Sequence, residues 1–387
     1  MSQSLVMAAL KIFITCPRGL EEVLVGELNA LALQHIHVVD GGVDCVGSWE
    51  QVYQINLHSR VASRVLIELV RGACAREDQM YQLAKKVVWT DWFDVTDSIK
   101  MNVTGKRTPF KRIDILGLKI KDAVCDVFRD ACGKRPSVDK MFPDVRIHAF
   151  VEGTQARIML DTSGEALFKR GYRDETGEAP LRENLAAGLL MLAGYDGTQA
   201  FMDPMCGSGT IAIEAALMAK KQAPGLYRHF GFEKLHGFQV DVWSKIKQKA
   251  LSTVREPVAS LQAADIDRQV IKAAIANAHQ AGVDDVLAFK VQDVIHATAA
   301  AETGVLVSNP PYGIRLEDEH FLRGFYPQLS SMLKQQFHGW QVALISADMG
   351  LPSGLRLKPA RKIPMFNGKL DCRLFVFKMV QGSNRGE

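Results

Sequence analysis

The 387 residues predict an α/β protein: a parallel sheet covered on both faces by helices in the C-terminal half, preceded by an α+β N-terminal half. Three observations carry that expectation. From Leu181 onward, short strand-like runs alternate with helical patterns, the order expected when crossover helices join parallel strands. The runs are apolar throughout rather than at every second residue, which suits strands buried on both faces. The first of them leads into a glycine-punctuated turn and then an apolar helix, the kind of turn that lets a ligand approach the backbone.

The elements follow in chain order. Lys11–Thr15 and His37–Val39 are strand-like and flank a helix-like stretch, Leu20–Leu33. In that stretch Leu20, Leu24, Leu28 and Leu31 recur at helical spacing, behind the turn Cys16-Pro17-Arg18-Gly19. From about Leu57 to Leu160 short strands mix with a helix near Leu118–Cys132, and Asp161–Pro180 is polar and turn-rich, which reads as a junction. A helix with Leu181, Leu185, Leu189 and Leu192 on one face comes next. Strands are expected near Gln199–Met202, Val258–Ala263, Val286–Val291, Gly304–Val307, Trp340–Ile345 and Arg373–Met379. Helices are expected at Ile211–Lys220 and around Ile271, Ala274, Ile275 and Ala278. The expected divisions are residues 1–56, 57–163, a linker at 164–180, and 181–387. No internal repeat or low-complexity tract is apparent.

Composition excludes several classes. Hydrophobic residues make up 47% and charged residues 23%, so the chain is neither disordered nor coiled-coil or collagen-like. Seven scattered cysteines, none spaced as C-x-x-C, argue against a disulfide framework or a zinc site, so no metal is expected and a reducing cytoplasm is. The N-terminus has no signal-peptide pattern. The longest nearly apolar window, Leu185–Tyr195, is too short to span a bilayer, so no membrane partner is expected.

Charge is uneven. The net charge is +4, yet Lys100–Arg173 holds 16 Lys/Arg against 9 Asp/Glu, leaving the rest of the chain acidic. Within it, Lys106, Arg107, Lys111 and Arg112 surround Phe110 in a short Gly/Pro-punctuated stretch. That asymmetry suggests a polyanion-facing surface, although a solvated loop with ordinary surface charge reads the same way.

Ligands on open parallel sheets bind beyond the carboxyl ends of the strands, and four such ends carry chemistry. Asp203-Pro204-Met205-Cys206-Gly207-Ser208-Gly209-Thr210 joins the first strand to its helix. Asp203 there can accept a hydrogen bond from a ligand ammonium, and the two glycines permit close approach; a glycine turn that merely packs is the alternative. Asp265, before Ile266, ends the next strand and can take ribose hydroxyls, though it follows Gly209 by 56 positions. A nicotinamide-dinucleotide unit places that acid about 20 residues on, which disfavours such a cofactor. Asp293, before Val294, ends the third strand and can accept from an adenine amine. Each acid alone reads equally as a helix cap; three on successive strand ends favour an adenosine-bearing ligand.

The fourth end, Ser308-Asn309-Pro310-Pro311-Tyr312-Gly313, is the most specific signal. The prolines stop strand pairing and fix the backbone, so the Asn309 side-chain oxygen and the Pro310 carbonyl can face one planar amino group, with Tyr312 offering a stacking face. An exocyclic nucleobase amine is a poor nucleophile because its lone pair is delocalised. Two acceptors on its N–H groups favour a pyramidal nitrogen and stabilise the cation that develops on it. With the electrophile held in line, positioning supplies much of the acceleration and no strong base is needed. The target base must leave its stack or be unpaired.

Asp203 to Thr210 together with Asn309-Pro310-Pro311-Tyr312 resembles the S-adenosylmethionine-dependent amino-methyltransferases with the class I Rossmann-like fold. The N-terminal half is similar to the ferredoxin-like plus THUMP region of bacterial THUMP methyltransferases. Cys16-Pro17-Arg18-Gly19-Leu20-Glu21, Val103 to Arg107, Leu116 to Ala123, Pro143 to His148 and Leu160 to Glu165 carry that likeness. Phe168-Lys169-Arg170-Gly171-Tyr172-Arg173 and Phe366-Asn367-Gly368-Lys369-Leu370-Asp371-Cys372 extend it over essentially the whole chain. The nearest group is the 23S rRNA guanine-N2 methyltransferases, whose Asn-Pro-Pro-Tyr signature is shared with adenine-N6 enzymes.

The resemblance implies a mostly parallel seven-stranded methyltransferase sheet behind a ferredoxin-like and THUMP module, and S-adenosyl-L-methionine as cofactor. It implies cofactor contacts from Asp203, Pro204, Cys206, Gly207, Gly209, Thr210, Asp265, Ile266, Asp293, Val294 and Asn309. Asn309, Pro310, Pro311 and Tyr312 would hold the target base, and Lys106, Arg107, Lys111, Arg112, Lys169, Arg170 and Arg173 are candidates for RNA contact. The implied partner is RNA, 23S rRNA or a large-subunit precursor. Some relatives carry a second methyltransferase domain; ending at Glu387, this chain is expected to be the single-enzyme form. Open alternatives are a THUMP-type tRNA guanine-N2 enzyme, an N6-adenine methyltransferase, and a non-catalytic RNA-binding assembly factor.

Overall fold

Burial along Val145–Glu152 alternates residue by residue, whereas Gly304–Ser308 is buried at every position. The first is a strand covered more closely on one face than on the other; the second is a strand covered on both faces. The computed structural model, which describes residues 9–173, 181–311 and 316–380, contains two seven-stranded sheets, in two separate units.

The first unit is built from β1 (Leu10–Thr15), α1 (Glu21–Ala30) from Val25 onward, β2 (Gln34–Val39), β3 (Gly42–Gly47), α2 (Trp49–His58), β4 (Arg64–Ala73), α3 (Glu77–Lys85), β5 (Ile99–Lys106), α4 (Asp114–Cys132), β6 (Val145–Glu152) and β7 (Gln155–Asp161). Its sheet runs β2-β3-β1-β4-β7-β6-β5, antiparallel except for the β5–β6 pair. Local chemistry sets the helix limits. Ser48 and Gln51 form a reciprocal capping box at the start of α2, and Gly133, at φ +72°, ends α4 in the left-handed conformation. Tyr227–Lys247 belongs to this unit and brings Phe232, Phe238 and Trp243 against Tyr53, the neighbour of Trp49, with Phe230 packed on Phe232 and Trp243.

The second unit comprises α5 (Glu183–Leu192), β8 (Ala200–Asp203), α6 (Thr210–Ala219), the last turns of α7 (Val240–Ser252), β9 (Leu261–Asp265), α8 (Arg268–Ala281), β10 (Leu287–Val291), β11 (Gly304–Ser308), α9 (Leu316–Gln336), β12 (Gln341–Ser346), α10 (Leu351–Leu355), β13 (Arg361–Asn367) and β14 (Leu370–Lys378), together with Pro17–Leu24. The sheet order is β10-β9-β8-β11-β12-β14-β13. The strands from β10 to β12 are parallel and the β14–β13 end is antiparallel, so the expected mostly parallel, seven-stranded sheet is present. One large cluster, including Leu306, Leu333, Phe337, Trp340, Leu344 and Phe377, forms its core.

One expectation needs correction and a second needs detail. The strand expected at Val258–Ala263 lies at Leu261–Asp265, because the exposed Val258 belongs to the preceding loop. The stretch from Asp161, expected as a polar junction, does contain the boundary between the two units, at Leu167 and Phe168, yet much of it is buried. Thr162 and Ser163 are fully buried and hydrogen-bond the Asn56 amide at 2.9 and 2.7 Å, and Tyr172 is 3% exposed. Polar residues there are interior hydrogen-bonding groups, which composition cannot distinguish from surface ones. Residues 174–180 lie outside the described residues.

Candidate functional site

The order of the second sheet reverses at β8: β9 and β10 extend to one side of it, β11 and β12 to the other. This is the switch point at which the connections diverge and leave a crevice above the strand ends. Register then sets the height of each acid. Asp203 pairs with Ala263, so Asp265 stands two residues further out; Val291 pairs with Asp265, so Asp293 stands two residues further again. The three carboxylates climb in a staircase toward the opening.

A cavity of about 720 Å³ sits above this staircase. Of the expected site residues, Pro204, Gly207, Asp265, Ile266, Asp293, Val294, Asn309 and Pro311 line it. Ile266 is 68% exposed, an apolar side chain left open at a cavity wall. The Asp265 carboxylate accepts from the Gly207 amide and the Asp267 amide, both at 3.0 Å, which ties the glycine loop to β9. Each oxygen keeps a second lone pair for a ligand. Asp267 is committed otherwise, capping α8 through Gln269 and Val270. Asp293 accepts from the Ile295 amide at 3.1 Å.

Asp203 lies beneath the cavity and is 1% exposed. Its Oδ1 accepts from the Ser308 hydroxyl at 2.6 Å and from the Met205 amide at 3.3 Å, while Oδ2 is buried without a partner. Burial pushes its carboxyl up to about 7, and the nearby Asp265 charge pushes in the same direction.

The remaining expectations divide. Gly209, at φ +86°, does not line the cavity: a Cβ there would stand 3.1 Å from the Ala274 Cβ, so its close approach is to α8. Gly207, at φ +53°, has open space where a Cβ would be and stands at the cavity wall. Cys206 is buried, its thiol pushed far up by desolvation, and is not in the lining. Thr210 is buried at the first position of α6, where its hydroxyl accepts from Arg173 at 3.0 Å. Pro310 is buried between the two flanking residues that line the cavity, and Tyr312 lies outside the described residues.

The cation candidates are corrected in part. Arg170 is 3% exposed and paired with Glu214 inside the second unit, and Arg173 is 16% exposed and turned toward Glu183. Both serve the interior rather than a nucleic-acid surface. Lys106 pairs with Asp40 and Arg112 with Asp114 at exposed positions, where such pairs are worth little and exchange readily for phosphate. Arg107, Lys111 and Lys169 are exposed. Sequence reasoning missed Gly324, Phe325 and Gln328, which α9 contributes to the cavity. No motif marks them, because only packing of α9 brings them there.

The residues present fit an adenosylated amino acid. An orphaned buried carboxylate oxygen suits a cation, a half-buried carboxylate suits vicinal hydroxyls, and the open apolar wall at Ile266 suits a purine face. Fold and site together define a class I S-adenosylmethionine-dependent methyltransferase. Residues 170–375 match the RMKL-like methyltransferase domain, residues 11–66 the RlmL ferredoxin-like domain and residues 74–161 the THUMP domain. The chain belongs to the RMKL-like methyltransferase family, and its methyltransferase is of the RlmL/THUMP type that acts on nucleic acid.

Solved structures agree. A protein provisionally described as a methyltransferase, SMU.472, crystallised with SAH, is 26% identical with a TM-score of 0.88, over 97% of this chain and 99% of that one. A Listeria monocytogenes protein provisionally described as an N6-adenine-specific DNA methylase is 26% identical with a TM-score of 0.86, over 96% and 97%. TrmN from Thermus thermophilus shares the fold at 21% identity and a TM-score of 0.70, over 96% of this chain and 100% of that one. No helix among the described residues is long and apolar enough to cross a membrane.

Proposed function

We propose that the protein transfers a methyl group from S-adenosylmethionine to the exocyclic N2 amine of a guanine in 23S rRNA or its large-subunit precursor. One observation carries the reading: Asn309 and Pro311 line the same cavity as Gly207, Asp265, Ile266 and Asp293. The Asn-Pro-Pro turn and the strand-end acids thus line one enclosure, which supports the reading. The bound cofactor supplies an electrophilic methyl; everything else is asked of this chain. Asp203 accepts from the cofactor ammonium, Asp265 from its ribose hydroxyls and Asp293 from its adenine amine. The Asn309 Oδ1 and the Pro310 carbonyl accept from the two N–H groups of the base amine, turning its lone pair toward the methyl. Tyr312 stacks on the base. As the N–CH3 bond forms and the S–CH3 bond breaks, positive charge passes to the amine, where the same two oxygens stabilise it until one N–H proton is released to water. Seven cysteines, all thiols, suit a reducing cytoplasm.

The test is incubation of unmodified ribosomal RNA with labelled S-adenosylmethionine, then nuclease digestion and mass spectrometry of the nucleosides. N2-methylguanosine is the expected product. N6-methyladenosine would retain the mechanism and overturn the base, and product from tRNA alone would move the substrate. Asn309→Ala is expected to lower kcat by about a hundredfold or more, the scale of losing one preorganised partner of a developing charge. Retained methyl transfer in that variant would sink the mechanism.

A further inference from the structure

Two sequence motifs, the turn at Cys16-Pro17-Arg18-Gly19 and the segment Phe366-Asn367-Gly368-Lys369, have no part in the transfer site. In the second unit, Pro17-Arg18-Gly19 and that segment meet. Gly19, at φ +91°, lies so close to β13 that a Cβ there would stand 2.5 Å from the Pro364 carbonyl oxygen. Next to it, fully buried Leu20 fills the space above Gly188 of α5, where a Cβ would meet Leu20 Cδ1 at 2.4 Å. Both approaches require glycine, so the turn is seated by shape rather than resting on the surface.

Between the turn, the start of α5 and the β13–β14 hairpin lies a cavity of about 390 Å³. Its rim carries the exposed cations Arg18, Arg182 and Lys369, and its wall the half-buried Phe366 and Asn367 above buried Leu185. Among the described residues, none that lines it is acidic. The Arg18 guanidinium stands 5.9 Å from the Phe366 ring centroid, and Arg182 lies over Phe168 at 4.7 Å. Cations converging on one concavity favour an anion there. The aromatic wall adds a face for a flat ring.

Sheet geometry relates this cavity to the transfer site. Arg373 of β14 pairs with Ser346 at the carboxyl end of β12, and β12 runs parallel to β11. The β13–β14 turn therefore projects about 10 Å beyond the strand ends, on the side where β11 delivers Asn309. In the strand order β14 is two places from β11 and β13 three, a lateral distance of roughly 10–15 Å. At about 3.4 Å per nucleotide of stacked strand, that is a few nucleotides.

We propose that this cavity is a second nucleic-acid subsite, holding a nucleotide of the target strand a few positions from the methylated one. Its phosphodiester lies among Arg18, Arg182 and Lys369, its base stacks on Phe366, and Asn367 reads the base edge. The inference rests on the nucleic-acid methyltransferase reading but is tested apart from it.

A fluorescently labelled single-stranded 12-nucleotide RNA is titrated with the full chain between 50 and 200 mM salt. Each cation removed by Lys369→Gln, Arg18→Gln or Arg182→Gln is expected to reduce the slope of log K against log salt by about 0.7. The triple variant thus loses about 2 from the slope and binds at least tenfold more weakly. Phe366→Ala is expected to lose about tenfold in affinity with the slope unchanged. S-adenosylmethionine affinity, measured by calorimetry, stays within about twofold of the original chain, and Lys369→Gln, on an exposed turn, separates binding from folding. Wild-type slope and affinity in the triple variant overturn the subsite, as does an original chain that does not bind the RNA. If millimolar inorganic phosphate binds these cations while the RNA slope is unaltered, the site takes free phosphate and the proposal falls. RNA binding through these cations without any methylated nucleoside upholds the subsite and sinks the proposed reaction.

Discussion

Asp203 has two demands on one carboxylate. Folding buries it with one oxygen satisfied by Ser308 and Met205 and the other by nothing, and its pKa rises to about 7. In the unfolded chain an aspartate titrates near 3.9. Between about pH 4 and 7 the folded state therefore holds the extra proton, and stability falls as pH rises through that window. A cationic ligand group against Oδ2 favours the ionised form instead, so binding below pH 7 releases a proton. Affinity for S-adenosylmethionine is thus expected to rise by up to about tenfold per unit from pH 5.5 to 7 and to level off above. Asp203→Asn, which cannot ionise, should remove both slopes and weaken binding. Denaturant titrations and calorimetry across pH read the two effects separately, and an unchanged pH dependence of binding in Asp203→Asn would contradict the ammonium contact.

At the scale of the element, one strand–turn–helix contains two glycines that the sequence presents as equivalent. Both have positive φ, and an L residue there costs about 1–2 kcal/mol in backbone strain alone. Their surroundings differ: Gly209 meets Ala274 of α8, and Gly207 faces open space at the cavity wall. Gly209→Ala is expected to lose stability beyond the backbone cost, visible as a lowered Tm, because neither Cβ can retreat. Gly207→Ala should cost only the backbone strain but lower S-adenosylmethionine affinity. Equal effects of the two substitutions on Tm and on affinity would contradict this division. The motif itself was legible in the sequence because glycine is the residue that a left-handed turn needs. Which glycine lines the cavity was not, since that depends on α8, which lies some sixty positions further along the chain. The same limit hid Gly324, Phe325 and Gln328, whose helix has no chemical signature until it is packed.

For the molecule as a whole, neither unit is one continuous stretch of chain. Tyr227–Lys247 completes the first unit, and Pro17–Leu24 belongs to the second. Phe232 is fully buried, 4.7 Å from Tyr53 and 5.1 Å from Trp243 between ring centroids. Phe232→Ala is expected to destabilise the first unit by about 3–5 kcal/mol, the usual cost of emptying a buried aromatic site. A fragment ending at residue 173 should fare worse, since it lacks Phe230, Phe232, Phe238 and Trp243 of that insertion, and would bind a hydrophobic dye in place of unfolding cooperatively. A fragment that melts as sharply as the full chain would show that the insertion is dispensable.

Sequence by itself determined the α/β class, the carboxylates at successive strand ends and the Asn309-Pro310-Pro311 turn. Each depends on local pattern: unbroken apolar runs, residues that end strands, and prolines that fix a backbone. The tertiary structure decided that Arg170 and Arg173 face inward, that Asp203 is buried with an orphaned oxygen, and that Pro17–Leu24 and the β13–β14 hairpin close a cavity together. Those outcomes come from contacts between residues far apart in the chain, where burial and charge pairing are properties of the assembled surface and not of any segment that contributes to it.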